Sequence, residues 1–333
     1  MEAKTKKIII AISFVIFIFL GLIFYKGART LSIINPGSSL LSFLTSKDPS
    51  QNRLDILILG NRGRGASGGG MLTDSIMVLS YKKDSEDIAL ISIPRDLFVE
   101  VPGFPGKYKI NQAYVLGETS PSRNGLQLAK KTVSNVIGVD VDFAIVLDVE
   151  ALKKFVDILG GITIYETKYK SYRFYQYYTA LVPGENILDG EDVLAYVGCR
   201  TLCGSDFDRM KNQQKVILAI KDKVVSLNLL ARPDKLLEIL NTIEEHIQTD
   251  IPLAEMRVVS NILSNTDFTN VKQVFFDTSS DGLLYSTHLY GMYVLLPTSG
   301  DFSEIQDRCL NVFEPMEEKN TNLEGMEENK IPH

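Results

Sequence analysis

The chain has little cysteine, little histidine and no excess of basic charge. Its 333 residues include three cysteines and three histidines, and 35 basic against 41 acidic residues give a formal net charge of −6. Three cysteines build no disulfide framework, and the odd number leaves at least one thiol unpaired. The acidic balance gives no electrostatic ground for nucleic-acid binding, so any anion site has to be local. Cys199 and Cys203 have an i, i+4 spacing that zinc ligands use, but no second pair accompanies them, and His246, His288 and His333 are scattered. The two cysteines read as incidental residues flanking another site, with a local disulfide as the alternative. No internal repeat is present.

One stretch has no charge at all. Ile8 to Tyr25 (IIIAISFVIFIFLGLIFY) is apolar throughout, and about 18 such residues suffice to cross a bilayer's hydrocarbon layer. The following KGARTLS makes a poor signal-peptide cleavage site, so the segment reads as an uncleaved anchor. Lys4, Lys6 and Lys7 before it favour a cytoplasmic N-terminus. The expected layout is a single-pass cell-membrane protein: residues 1–7 cytoplasmic, 8–25 transmembrane helix, 26–52 linker, and everything beyond extracytoplasmic. Residues 53–228 form the main domain, 229–314 its C-terminal part, and 315–333 a charged, disordered tail.

The main domain mixes two periodicities. Short apolar runs predict strands at Leu54–Gly60, Ser75–Tyr81, Ile88–Ile93, Phe143–Leu147, Ile162–Ile164 and Val271–Phe276. Helical spacing links Leu126, Ala129, Val133 and Ile137, then Val149, Leu152, Val156 and Leu159, with Asp148 placed to cap and Gly160 to terminate. Two further helices are expected, one through Met210, Ile217, Ile220, Val224 and Leu227, the other through Leu236, Leu240 and Ile243. Interleaved strands and helices give an α/β fold, with one mixed sheet covered by helices on both faces.

The polar residues gather at loops. Gly60 to Gly70 (GNRGRGASGGG) follows the first strand and offers amide groups, Arg62 and Arg64 to an anion, but no Lys-Ser/Thr pair makes it a P-loop; its plainer reading is a flexible surface loop. Asp74 suits a hard divalent cation or a turn. Pro94-Arg95-Asp96 stands at a strand's carboxyl end, where open α/β sheets place ligands. Lys109 and Asn111 follow, the latter an amide donor. Ser205 and Asp208 form a capping-box-like pair. Asp206, Arg209 and Gln213 then share one face near a helix N-terminus, an end that favours anions, and Arg200 lies just ahead of it.

In order, LILG (57–60), LTDSIM (72–77), SIPRD (92–96), KINQAY (109–114), FVDILGGI (155–162), LDG (188–190) and SDFDR (205–209) with Gln213-Gln214 resemble the LytR-CpsA-Psr family over about residues 53–228. The later YVLLP (293–297) with Gly300-Asp301 is similar to a tail segment of some members. The resemblance implies an α-β-α sandwich with a pocket for a polyprenyl pyrophosphate. It also implies transfer of a phosphate-linked glycopolymer to peptidoglycan, assisted by Mg2+ (or Mn2+), at the membrane lipid. On it, Arg95, Arg200, Arg209 and Gln213 hold the pyrophosphate, Asp74 is the metal ligand, and Asp96, Lys109 and Asp206 orient or neutralise neighbours. A non-catalytic binder of the same lipid or polymer, and a polyprenyl-pyrophosphate hydrolase, are the competing readings.

The chain departs from the pattern in three places. Asn61 stands where members carry a second acidic metal ligand, and Gly198 and Asn212 stand where many carry arginine. Losing one charge-assisted contact costs about 2–4 kcal/mol of transition-state stabilisation by analogy with lost oxyanion donors. Compensation by Arg62 or Arg64 from across the site is expected, the alternative being a divergent member of reduced activity.

Overall fold

The computed structural model describes residues 52–66, 69–199, 204–227, 239, 241–242, 244–251 and 271–314. The expected transmembrane helix 8–25, the tail 315–333, the fourth helix for all but a few positions, Arg200 and Cys203 lie outside these residues. The strands described are β1 (Arg53–Asn61), β2 (Ser75–Lys82), β3 (Asp87–Ser92), β4 (Phe98–Glu100), β5 (Lys107–Lys109), β6 (Phe143–Asp148), β7 (Ile162–Glu166), β8 (Lys170–Phe174), β9 (Tyr177–Leu181), β10 (Gly184–Leu188), β11 (Ile247–Thr249), β12 (Lys272–Phe275), β13 (Leu284–Leu289) and β14 (Met292–Pro297). The helices are α1 (Ala113–Thr119), α2 (Gly125–Ile137), α3 (Val149–Ile158), α4 (Gly190–Gly198), α5 (Asp206–Ser226) and α6 (Ser303–Leu310).

A mixed central sheet runs β11-β6-β1-β2-β3-β12. β1 is parallel to β6 and antiparallel to β2, which is antiparallel to β3. β1, β3 and β6 therefore end at the same side of the sheet, where β2 begins. This register brings the loops after Asn61, before Ser75, after Ser92 and after Asp148 to one rim. Every expected strand occurs, but Ile162–Glu166 joins a separate two-stranded piece with β10 and not the central sheet.

The two sheet faces carry different jobs. The cross-strand row Ala144, Leu57, Val78, Ile91, Val274 is buried against α2 and α6 in the larger core cluster. On the opposite face, Ile56 pairs with Leu79 and Leu79 with Leu90, while Ile58 lies between Ile145 and Met77. That face packs under Ile217 and Leu218 of α5. Gln214, fully buried, fixes α5 in place: its amide donates to the Leu90 carbonyl at 3.2 Å and to Ser92 Oγ at 2.8 Å.

β7–β9 pack with α3, α4 and α5 around Phe155, Tyr172 and Tyr196. The carboxylate of Glu166 is set into this cluster, 3% exposed, taking the Tyr196 hydroxyl at 2.9 Å and Lys215 Nζ at 3.0 Å. Burial pushes its pKa up, but Lys215 and the Tyr196 hydroxyl more than offset this and hold it below 4.5. A carboxyl depressed in the folded state adds stability above its unfolded pKa and loses it as pH falls through the folded one. Glu166→Gln is therefore expected to cost about 1–3 kcal/mol at pH 7. The difference from the parent should shrink below pH 4.5, as urea unfolding at the two pH values would show.

Candidate functional site

A cavity of about 210 Å³ lies between the sheet and α3, α4 and α5. Its floor is the face that carries Ile56, Ile58, Met77, Leu79, Leu90 and Ile145. Along β1 the inward positions run Ile56, Ile58, Gly60, and Gly60 lies opposite Ser75 and Leu147. The floor thus changes from branched apolar side chains to glycine and serine as it nears the rim. There the lining becomes polar, with Asn61, Arg62, Asp74, Arg209 and Gln213.

At the rim, charges of alternating sign are linked in sequence. Arg62 Nε lies 3.9 Å from Asp74 Oδ2, and Asp74 Oδ1 accepts from Arg95 Nη1 at 2.6 Å. Arg95 Nη2 is 3.4 Å from Asp206 Oδ1, which also accepts from Arg209 Nη2 at 2.7 Å. Arg209, 3% exposed, donates to the Asp74 carbonyl at 3.1 Å as well. Lys109 closes on Asp96 at 2.6 Å, and Asp96 lies 3.5 Å from Arg95 Nε. Burial works against the charge of Arg95, but Asp206, Asp74 and Asp96 outweigh it and raise its pKa further. Four cations (Arg62, Arg95, Arg209, Lys109) face three carboxylates (Asp74, Asp96, Asp206). The set is left with one positive charge, held in place by its own ion pairs.

The residues singled out in the sequence divide into three groups. Arg62, Asp74, Arg209 and Gln213 line the cavity, and Gln213 also donates to the Val197 carbonyl at 3.4 Å. Arg95, Asp96, Lys109 and Asp206 stand behind them. Arg64 and Asn111 stand apart. Arg64 is 72% exposed and pairs with Glu118 at 2.7 Å, so the charge near the mouth comes from Arg62. Asn111 is buried, and its carbonyl accepts from the Thr73 amide at 3.1 Å, holding the turn that presents Asp74. The expected capping box is present, with Ser205 N–H donating to Asp208 Oδ2 at 2.8 Å and Asp208 N–H to Ser205 Oγ at 3.3 Å.

Two readings of the loops are corrected. The glycine loop folds on itself: Arg62 N–H donates to the Gly70 carbonyl at 2.9 Å and Gly63 N–H to Asn61 Oδ1 at 2.9 Å, so these amides serve the loop itself. A Cβ at Gly70 would come within 2.3 Å of the Gly63 carbonyl, which makes the glycine a packing requirement. Cys199 is not incidental: it is disulfide-bonded at the C-cap of α4. Cys309 is the free thiol, buried, with its pKa pushed up to about 12 by desolvation.

Gly198 also has a tertiary reason. A Cβ there would lie 2.3 Å from the ring of Phe174, so a side chain at this position would require that ring to move. Phe174 was not foreseen; nothing in the local pattern of β8 distinguishes it from its neighbours. Among the described residues no group of three or more His, Cys, Asp or Glu is placed to hold a metal ion. Two carboxylates line the cavity, Asp74 and Asp148, and Asp148 is paired with His246 at 2.9 Å, which leaves Asp74 as the one candidate ligand the sequence singled out. That suits an ion keeping most of its shell as water and phosphate oxygen, and does not suit an all-protein cage.

The site is thus an apolar cavity between sheet and helices that opens at one rim of the sheet beside Arg62 and Arg209. The chain belongs to the LytR_cpsA_psr family, whose model matches residues 36–309. It is 31% identical over 205 residues to the regulatory protein MsrR of Staphylococcus aureus, covering 61% of this chain and 58% of that relative's length. It is 29% identical over 231 residues to the polyisoprenyl-teichoic acid–peptidoglycan teichoic acid transferase TagU of Enterococcus faecalis, covering 69% of this chain and 70% of that protein. The crystal structure of Bacillus subtilis TagV shares the fold, with a TM-score of 0.62 at 23% identity, over 78% of this chain and 96% of that one. Among the described residues no helix is long and apolar enough to cross a membrane.

Proposed function

We propose that this chain is a membrane-anchored phosphotransferase that moves a glycopolymer from a polyprenyl-pyrophosphate carrier to peptidoglycan. One observation carries the reading: an apolar cavity ends in a mouth where Arg62, Arg209, Gln213 and Asp74 stand together. A prenyl chain matches the cavity's lining and a pyrophosphate matches its rim. The relative named as a polyisoprenyl-teichoic acid–peptidoglycan transferase supports the same substrate class.

In the proposed reaction an acceptor hydroxyl oxygen forms a new bond to the phosphorus that carries the glycopolymer. The bond from that phosphorus to the bridging oxygen breaks, the carrier leaves as polyprenyl monophosphate with the electron pair, and the proton of the acceptor hydroxyl passes through water to the released phosphate or to solvent. Arg209 and Arg62 face the oxygens on which charge grows, and Arg95, Asp206 and Asp74 fix them beforehand, so little reorganisation is needed at the moment of reaction. Asp74 would hold Mg2+, whose contribution when bound is to neutralise phosphate charge.

The test uses the full-length chain in detergent with a polyprenyl-pyrophosphate-linked sugar, Mg2+ and peptidoglycan fragments. Carrier release together with labelled acceptor is the expected result. Release without labelling would make the protein a hydrolase; binding with neither product would make it a carrier-binding module.

A further inference from the structure

The turn joining β8 to β9 has an unusual occupant. Phe174 pairs with Tyr177, so the loop is only Tyr175-Gln176, and Tyr175 adopts φ 53°. Tight hairpin turns normally give that left-handed backbone to glycine or asparagine. Tyr290 has the same φ of 53° in the β13–β14 turn, so the backbone alone marks no role for Tyr175, which is 63% exposed.

Its side chain has one. The Tyr175 hydroxyl accepts from Arg62 Nη1, and the guanidinium carbon lies 5.6 Å from the centre of the Tyr175 ring. The hairpin beneath is anchored twice on the end of α4. Phe174 occupies the space above Gly198, and the Arg173 amide donates to Cys199 Sγ at 3.3 Å. The Phe174 and Tyr175 rings are in edge contact at 4.7 Å. Gly198, Phe174 and Arg62 all line the cavity. A continuous set of contacts thus runs from α4 through the hairpin tip to a guanidinium at the mouth, which lies 3.9 Å from Asp74.

We infer that Tyr175 is a positioning residue: supported by Phe174 on the Gly198 seat, it holds Arg62 at the cavity mouth, where it meets the anionic headgroup of the ligand. The inference rests on the reading of that mouth as a pyrophosphate site. It makes the lack of a side chain at Gly198 what leaves the Phe174 ring its present seat.

The test is a double-variant cycle on the full-length chain, with geranylgeranyl pyrophosphate as the probe and thermal unfolding measured in parallel. Tyr175→Gly removes the ring and hydroxyl while permitting the backbone angle. It is expected to weaken probe binding about tenfold without lowering Tm, whereas a merely structural residue would lower both. Tyr175→Phe, which keeps the ring over the guanidinium, is expected to recover part of the loss. In an Arg62→Ala background Tyr175→Gly should have no further effect, because Tyr175 acts through Arg62. Unchanged affinity in Tyr175→Gly, or an undiminished loss in the Arg62→Ala background, overturns the clasp while leaving the pyrophosphate site standing. Failure of the unaltered chain to bind the probe overturns both.

Discussion

Arg209→Ala should lower transfer from a polyprenyl-pyrophosphate sugar by about 10²–10³-fold in kcat, the usual loss when one preorganised donor to a developing oxyanion is removed. Arg209 is the guanidinium for which burial and contacts agree best on such a role. It lines the cavity, it is 3% exposed, and it is fixed by Asp206 and by the Asp74 carbonyl. The fold should survive the change, since Asp206 keeps Arg95 at 3.4 Å and α5 keeps its anchor through Gln214. Arg209→Lys separates charge from shape, because an ammonium preserves the charge but not the planar fork. An intermediate rate for the lysine variant is expected. Turnover by the alanine variant equal to the parent's would remove Arg209 from the reaction.

The second large effect concerns the other end of the ligand. Ile217 of α5 lines the cavity and is only partly buried, so Ile217→Trp should fill space that a prenyl chain needs. Each methylene denied its place costs about 0.8 kcal/mol. Displacing two or three of them gives about 2 kcal/mol, or roughly thirtyfold in affinity. Binding of geranylgeranyl pyrophosphate should fall by that factor, while inorganic pyrophosphate, which needs only the rim, should bind as before. Equal loss for both probes would mean the variant disturbs the rim; no loss for either would mean that the lipid does not enter the cavity.

Much of the scaffold is legible in the sequence because its signals are local. The apolar run at Leu54–Gly60, the Asp148 cap and the Ser205/Asp208 box each depend on residues within a few positions of one another, and all three form as read. β8, β9, β13 and β14 were not anticipated. They are short, half-exposed hairpin strands whose partners, more than their own patterns, make them strands. The separation of Ile162–Glu166 from the central sheet is likewise a matter of partner choice.

The sequence by itself determined the family, the mixed α/β character and the residue types available at the loops: arginine, aspartate and glutamine at strand and helix ends. Only the tertiary structure decided which of them share a site. Arg209 reaches the Asp74 carbonyl across 135 positions because parallel β1 and β3 end where β2 begins, and Gln214 pins α5 over them. The same geometry places Arg62 at the mouth and turns Arg64, two residues on, outward to Glu118. Gly198 shows the division most plainly. In the sequence it is a missing arginine, whereas in the fold it is the seat of Phe174, because whether a side chain fits depends on what a distant strand has packed against it.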